Sequence, residues 1–108
     1  MASAVVDALR AQAFCALALL ACSAGAAAAD VVRGGQSFAL HCAMCHGAKG
    51  QGIYPGAPKF DRGERMLQSD VSLLATIRTG RNAMPGFAAV LRDRDILDVI
   101  AYLRTLQR

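Results

Sequence analysis

The run Cys42-Ala43-Met44-Cys45-His46 constrains this chain more than any other feature. Two thiols three residues apart on a helical turn can reach the two vinyl groups on one edge of a porphyrin, and the histidine that follows is placed under the iron. The run predicts covalent attachment of one haem c through Cys42 and Cys45, with His46 as the proximal iron ligand. Three other readings share parts of the pattern. A thioredoxin-like dithiol needs a strand-helix-strand context, and the sequence around residue 42 lacks β-branched alternation. A zinc site drawing on His41, Cys42, Cys45 and His46 is too tightly spaced to close a tetrahedron, and no second ligand cluster exists elsewhere in the sequence. The third is a chance occurrence within a helix.

The start of the chain reads as an export signal rather than as part of a folded domain. Arg10 supplies a positive flank, residues 11–21 are small and apolar apart from Gln12, and Ala27-Ala28-Ala29 offers a small-x-small cleavage site before Asp30. A secretory signal over residues 1–29 and a mature domain over 30–108 are expected, which places the protein in the periplasm. The apolar run is short for a spanning helix. Leu19-Leu20-Ala21-Cys22 also resembles a lipobox. Lipidation of Cys22 would make residues 23–33 a tether and the protein a membrane-anchored lipoprotein facing the periplasm. Cleavage after Ala29 leaves Cys42 and Cys45 as the only thiols.

A domain of this size needs a staple, because below about 80 residues an apolar core alone supplies little net stability. Haem, with its flat apolar surface and its covalent and coordinate bonds, would be that staple. The elements around it read as helices. Val31 to Cys45 forms the first, with Val32, Phe38, Ala39 and Cys42 near one face. Gly34 and Gly35 each cost it about 1 kcal/mol relative to alanine, which the close approach of another helix would justify. The glycine-rich stretch 47–60 is a loop, and residues 62–67 suit a short helix. Ser69 caps a helix whose apolar stripe, Val71, Leu73, Leu74 and Ile77, stops at Gly80. A loop around Met84-Pro85-Gly86 follows. Asp93 or Asp95 then caps a last helix carrying Ile96, Val99, Ile100, Leu103 and Leu106 at three- and four-residue steps. The expected class is all-α.

The sixth iron ligand decides what such a haem does. His41 lies on the same helix as His46 and cannot cross to the other face, so it reads as a surface residue. Met44 lies between the tethering cysteines. Met66 suits a core role, the default for a flexible thioether. Met84 is followed by Pro85 and stands in a loop long enough to reach the distal side, which makes it the first candidate, with Met66 in reserve.

Taken together, these residues resemble the small bacterial class I cytochromes c over essentially all of residues 31–106. Gly34 and Phe38 stand eight and four residues before Cys42, as the family's helix glycine and aromatic do. Val99-Ile100-Ala101-Tyr102-Leu103 matches the family's last helix, whose aromatic packs across that glycine. The resemblance implies a class I fold of three to five short helices around one haem, with the first and last helices crossing. It places the distal Met-Pro pattern on Met84-Pro85. It also places on Pro58 the proline whose carbonyl receives the free ring N–H of the haem histidine, fixing its tautomer. Arg92 departs from the family's usual Ser or Thr cap, and the short stretch between Phe60 and Met84 implies a more exposed haem edge.

The expected function is one-electron transfer, with no catalytic residues. The protein would be a periplasmic carrier or the electron-accepting partner of an exported dehydrogenase, passing electrons to an oxidase or other acceptor. A haem enzyme or ligand sensor with a labile distal methionine is the alternative, although no histidine is left to serve as a distal acid-base group. Lys and Arg outnumber Asp and Glu by 12 to 8. Lys49, Lys59, Arg62, Arg65, Arg78 and Arg81 fall in segments that should border the haem. They read either as a solvated rim partly neutralising the propionates or as a basic surface that steers redox partners. Nothing suggests nucleic-acid binding, because basic and aromatic residues are not interleaved.

Overall fold

A computed structural model describes residues 2–10 and 27–108. Most of the expected leader, including Cys22 and its lipobox, falls outside them. Residues 2–10 are helical and exposed along their length. The haem-motif segment holds four helices: α1 (Val31–His41), α2 (Ala43–His46), α3 (Asp70–Thr79) and α4 (Asp93–Leu103), with a 3₁₀ turn at Phe60–Arg62. Among the described residues there is no sheet, and an isolated bridge joins Arg81 and Met84.

Local chemistry accounts for the helix ends. The Asp30 carboxylate accepts the N–H groups of Val32 and Arg33, capping α1. The Ser69 hydroxyl accepts from the Ser72 N–H, as expected of α3. On α4, of the two acids expected to cap the helix, Asp95 takes part and Asp93 does not. Arg92 is the cap position, and Asp95 closes the turn from inside by accepting the Arg92 N–H at 3.2 Å while pairing with its guanidinium at 2.9 Å.

Two further expectations are revised. The first helix does not run unbroken to Cys45: it stops at His41, and Cys42, at φ −123° and ψ −34°, hinges it to α2. Of residues 62–67, Arg62 ends the 3₁₀ turn and 63–67 are turns rather than a helix, because Gly63 and Arg65 both take positive φ, at 77° and 68°.

α1 and α4 cross at Gly34, where a Cβ would collide with the backbone carbonyl of Asp98. This is the close approach that the glycine pair foretold. The aromatic of α4, however, lies over the neighbouring glycine: a Cβ on Gly35 would come within 3.1 Å of the Tyr102 ring, which also stands 5.4 Å from Phe38. Below the crossing, Phe38, Ile96, Val99, Ile100 and Leu103 form the core with Phe60, Met66, Leu73 and Ile77. Leu106 lies beyond the end of α4 yet packs on this core.

Candidate haem site

The C-x-x-C-H residues sit at the hinge between α1 and α2. The Cys42 carbonyl receives the N–H groups of Cys45 and His46 at 3.2 and 2.9 Å, so all three functional residues share one tight turn. The following loop folds back onto it. Ile53 and Tyr54 donate to the Cys45 carbonyl at 2.9 and 2.8 Å, and Gly52 donates to that of His46 at 2.7 Å. These returning amides take the carbonyls that a longer helix would have used.

His46 is buried, with its imidazole stacked on Phe60 at 4.8 Å and 23° between planes. Burial lowers its pKa below the ordinary imidazole value, favouring the neutral ring that a metal requires. Its Nδ1 is buried without a hydrogen-bond partner among the described residues. The bond from this nitrogen to the Pro58 carbonyl, which the resemblance implies, is therefore not formed in the structure, although Pro58 lines the same cavity.

Met84 is delivered by a different device. Arg81 and Met84 exchange both backbone hydrogen bonds, at 3.0 and 2.9 Å, closing a tight turn in which Asn82 has φ 53°. Phe87 and Ala88 then donate to the Ile77 and Arg78 carbonyls, at 2.9 and 3.2 Å, tying the loop to the end of α3. Gly80, with φ +80°, makes this docking possible: a Cβ there would lie 2.6 Å from the Met84 carbonyl oxygen and 2.7 Å from the Gly86 nitrogen.

The two halves meet around a cavity of about 660 Å³, within the range of cofactor pockets. Cys42, Cys45, His46, Pro58 and Met84 all line it, against a wall that includes Phe38, Ile77, Phe87, Val99 and Leu103. Met66 is buried in the core and does not line it, so the reserve ligand is set aside. His41 is an exposed side chain at the rim, with its ring 6.2 Å from Phe87.

The chemistry of these donors suits a haem. Burial, and then the neighbouring Cys45, push the Cys42 thiol up to about 11, the opposite of the low-pKa nucleophile that a redox dithiol needs. Among the described residues no three His, Cys, Asp or Glu side chains converge as metal ligands, which leaves the zinc reading without geometric support. A large apolar cavity with two thiols, a neutral imidazole and a thioether on its walls fits a flat apolar macrocycle carrying iron.

Comparison with known proteins agrees. A family model described as cytochrome C oxidase, cbb3-type, subunit III, matches residues 29–103. Cytochrome c6 of the alga Cyanidioschyzon merolae is 40% identical over 78 residues, covering 70% of this chain and 74% of that protein. Cytochrome c6 of the cyanobacterium Nostoc is 36% identical over 91 residues, covering 82% and 81%. The chain belongs to the class I c-type cytochromes. The structure of cytochrome c6 from the diatom Phaeodactylum tricornutum superposes with a TM-score of 0.61 at 32% identity, covering 70% of this cytochrome and 92% of that chain. A solved c-type cytochrome, KustC0563, gives 0.64 at 25% identity. This cytochrome is accordingly an electron-transfer protein with covalently bound haem c, acting between redox partners. Among the described residues no helix is long and apolar enough to cross a membrane.

The basic rim is smaller than the sequence suggests. Arg65 and Arg81 are exposed at the cavity, whereas Arg78 is held by Asp93 at 2.8 Å. Sequence reasoning missed Arg104, whose guanidinium donates to the Met66 and Gln68 carbonyls at 2.8 and 2.9 Å and to Asp70. It thereby pins the segment that leads into α3.

Proposed function

We propose that Cys42 and Cys45 would hold the porphyrin as thioethers, that His46 and Met84 would ligate its iron, and that Pro58 would offer its carbonyl to the His46 ring N–H. The observation that carries this reading is the shared cavity, on whose walls both thiols, a buried imidazole with an orphan Nδ1, and the Met84 loop are brought together. When bound, haem c supplies a one-electron ferric/ferrous couple. The chain's own part is to hold ligands still. Phe60 keeps the His46 ring in one plane, and burial keeps it neutral. A Pro58 bond to Nδ1 would satisfy the orphan nitrogen and make the ring a stronger donor. A Met84 sulfur on the iron would favour the ferrous state relative to a second imidazole, and the turn at Arg81–Met84 and its tie to α3 hold the Met84 loop in place.

The setting we propose is the periplasm, after removal of residues 1–29, with membrane attachment only if Cys22 is lipidated. An exported dehydrogenase is the proposed donor and an oxidase or similar protein the acceptor. Lys49, Arg62, Arg65 and Arg81, all exposed, would steer an acidic partner towards the haem edge. A redox titration of the exported holoprotein followed by its spectrum tests the ligand set. The expected result is a single one-electron wave, low-spin ferric iron and a red-region sulfur-to-iron charge-transfer band. High-spin ferric iron in the untreated protein would overturn methionine ligation and favour the sensor or enzyme reading.

A further inference from the structure

The carboxylate of Asp98, 1% exposed, projects from α4 against the start of α1. Its Oδ1 accepts a 2.7 Å hydrogen bond from the backbone N–H of Asp30. Its Oδ2 is buried without a hydrogen-bond partner among the described residues. The guanidinium of Arg33 lies 3.3 Å from that oxygen but is not aligned to donate. Arg94 comes within 3.6 Å of Oδ1. The Arg33 side chain is 54% exposed, which screens its attraction, whereas the Arg94 Nε that faces Oδ1 is itself buried without a hydrogen-bond partner among the described residues. A buried carboxyl group with one neutral donor on Oδ1 and none on Oδ2 is short of hydrogen bonds.

Asp30 directly follows Ala27-Ala28-Ala29. Hydrolysis of the Ala29–Asp30 amide by an endopeptidase that selects small residues takes up one water, leaves a carboxylate on Ala29 and turns the Asp30 nitrogen into an ammonium. We propose that this cleavage completes a buried ion pair, in which the new α-ammonium of Asp30 takes the place of the peptide N–H at Asp98 and supplies a further donor to the unpartnered Oδ2. The proposal rests on residues 1–29 being a removable leader.

The surroundings suit it. A charge-assisted bond is roughly twice as strong as a neutral one, and an ammonium carries three donors where the amide has one. The Asp30 side chain is already engaged with the Val32 and Arg33 amides, leaving its nitrogen to Asp98. Arg94, which donates to the Ala28 carbonyl at 3.0 Å in the uncut chain, is released to turn wholly to Asp98. The positive end of α1 opposes an ammonium, and the carboxylates of Asp30 and Asp98 offset it. The pair would lie at the α1–α4 crossing, next to the Gly34 contact, so processing of the leader tightens the packing that forms one wall of the haem cavity.

The test uses haem-loaded protein beginning at Asp30 and the same protein with one extra alanine before it, each with Asp98 and with Asp98→Asn. Haem absorbance in every sample keeps the cytochrome reading separate from this one. With Asp98 present, the extra alanine is expected to lower the thermal midpoint by about 5 °C, and in the Asp98→Asn background the shift should fall below about 1 °C. An equal shift in both backgrounds overturns the proposal. If Asp98→Asn fails to fold, acylation of the Asp30-start protein decides instead. Its α-amine should react about tenfold more slowly than in the unfolded chain, as one unit of raised pKa dictates, and an unchanged rate overturns the pair. Intact mass of the protein exported by its own leader must give Asp30 as the first residue; any other start overturns the processing step.

Discussion

Gly34 on α1 and Asp98 on α4 touch through their backbones: any Cβ at Gly34 would drive into the Asp98 carbonyl, with the Val99 nitrogen 3.0 Å away. Backbone atoms cannot yield as a side chain does. Gly34→Ala should therefore destabilise the holoprotein by about 1–3 kcal/mol, although alanine is the better helix former by about 1 kcal/mol. Gly35→Ala is the control. Its Cβ meets only the edge of the Tyr102 ring, which can swing, so helix propensity and crowding nearly cancel. Thermal denaturation of both variants followed at the haem band checks this, and equal losses would show that the two glycines have the same role.

Two methionines separate ligation from packing. Met84 lines the cavity, whereas Met66 is buried in the core away from it. Met84→Ala should abolish the red-region charge-transfer band and lower the reduction potential while leaving the fold in place. Met66→Ala should leave the band intact and cost about 2–5 kcal/mol of stability through the cavity it creates. A band that survives in Met84→Ala would remove Met84 from the iron.

Much of this arrangement was legible because its signals are local. Ser69 caps and Gly80 ends α3 through groups only a few residues away, and the apolar steps of α4 name its buried face from Ile96 to Leu103. The break at Cys42 was not legible. No proline or glycine marks it, and it shows only in the backbone, where Cys42 takes φ −123° and its carbonyl draws the Cys45 and His46 amides into a new turn. Asp98 reads in sequence as one of three acids at the start of a helix, yet Asp93 and Asp95 pair at the surface while Asp98 is buried by the helix crossing. The Met84 site was readable as a Met-Pro loop. What fixes that loop, the Gly80 contact and the bonds to Ile77 and Arg78, is tertiary and appears only once α3 is in place.

Arg104 should prove more important than an arginine near a chain end suggests. Its fork reaches two backbone carbonyls, at positions 38 and 36 residues earlier in sequence, as well as Asp70. Arg104→Ala leaves those carbonyls unpaired in a half-buried setting and should cost about 2 kcal/mol. Arg104→Lys keeps the charge but not the planar fork, and should recover less than half of that. Asp70→Asn, which removes only the exposed partner, should change stability by less than about 0.5 kcal/mol. Denaturant titrations of the three variants rank them, and a Lys variant as stable as the parent would show that charge alone holds the segment.

The cavity itself predicts dependence on the cofactor. Helices α1, α3 and α4 each send apolar side chains to its walls, among them Phe38, Leu73, Ile77, Val99 and Leu103. With nothing to cover them these surfaces gain little from folding, and a domain of this length has few other buried side chains to compensate. His46 would add a buried nitrogen without a partner. A Cys42→Ala, Cys45→Ala double variant, unable to retain haem covalently, should therefore show weak helical circular dichroism and no cooperative thermal transition. A transition matching that of the holoprotein would show that the helices pack without the staple, and that haem is a guest of the fold rather than its core.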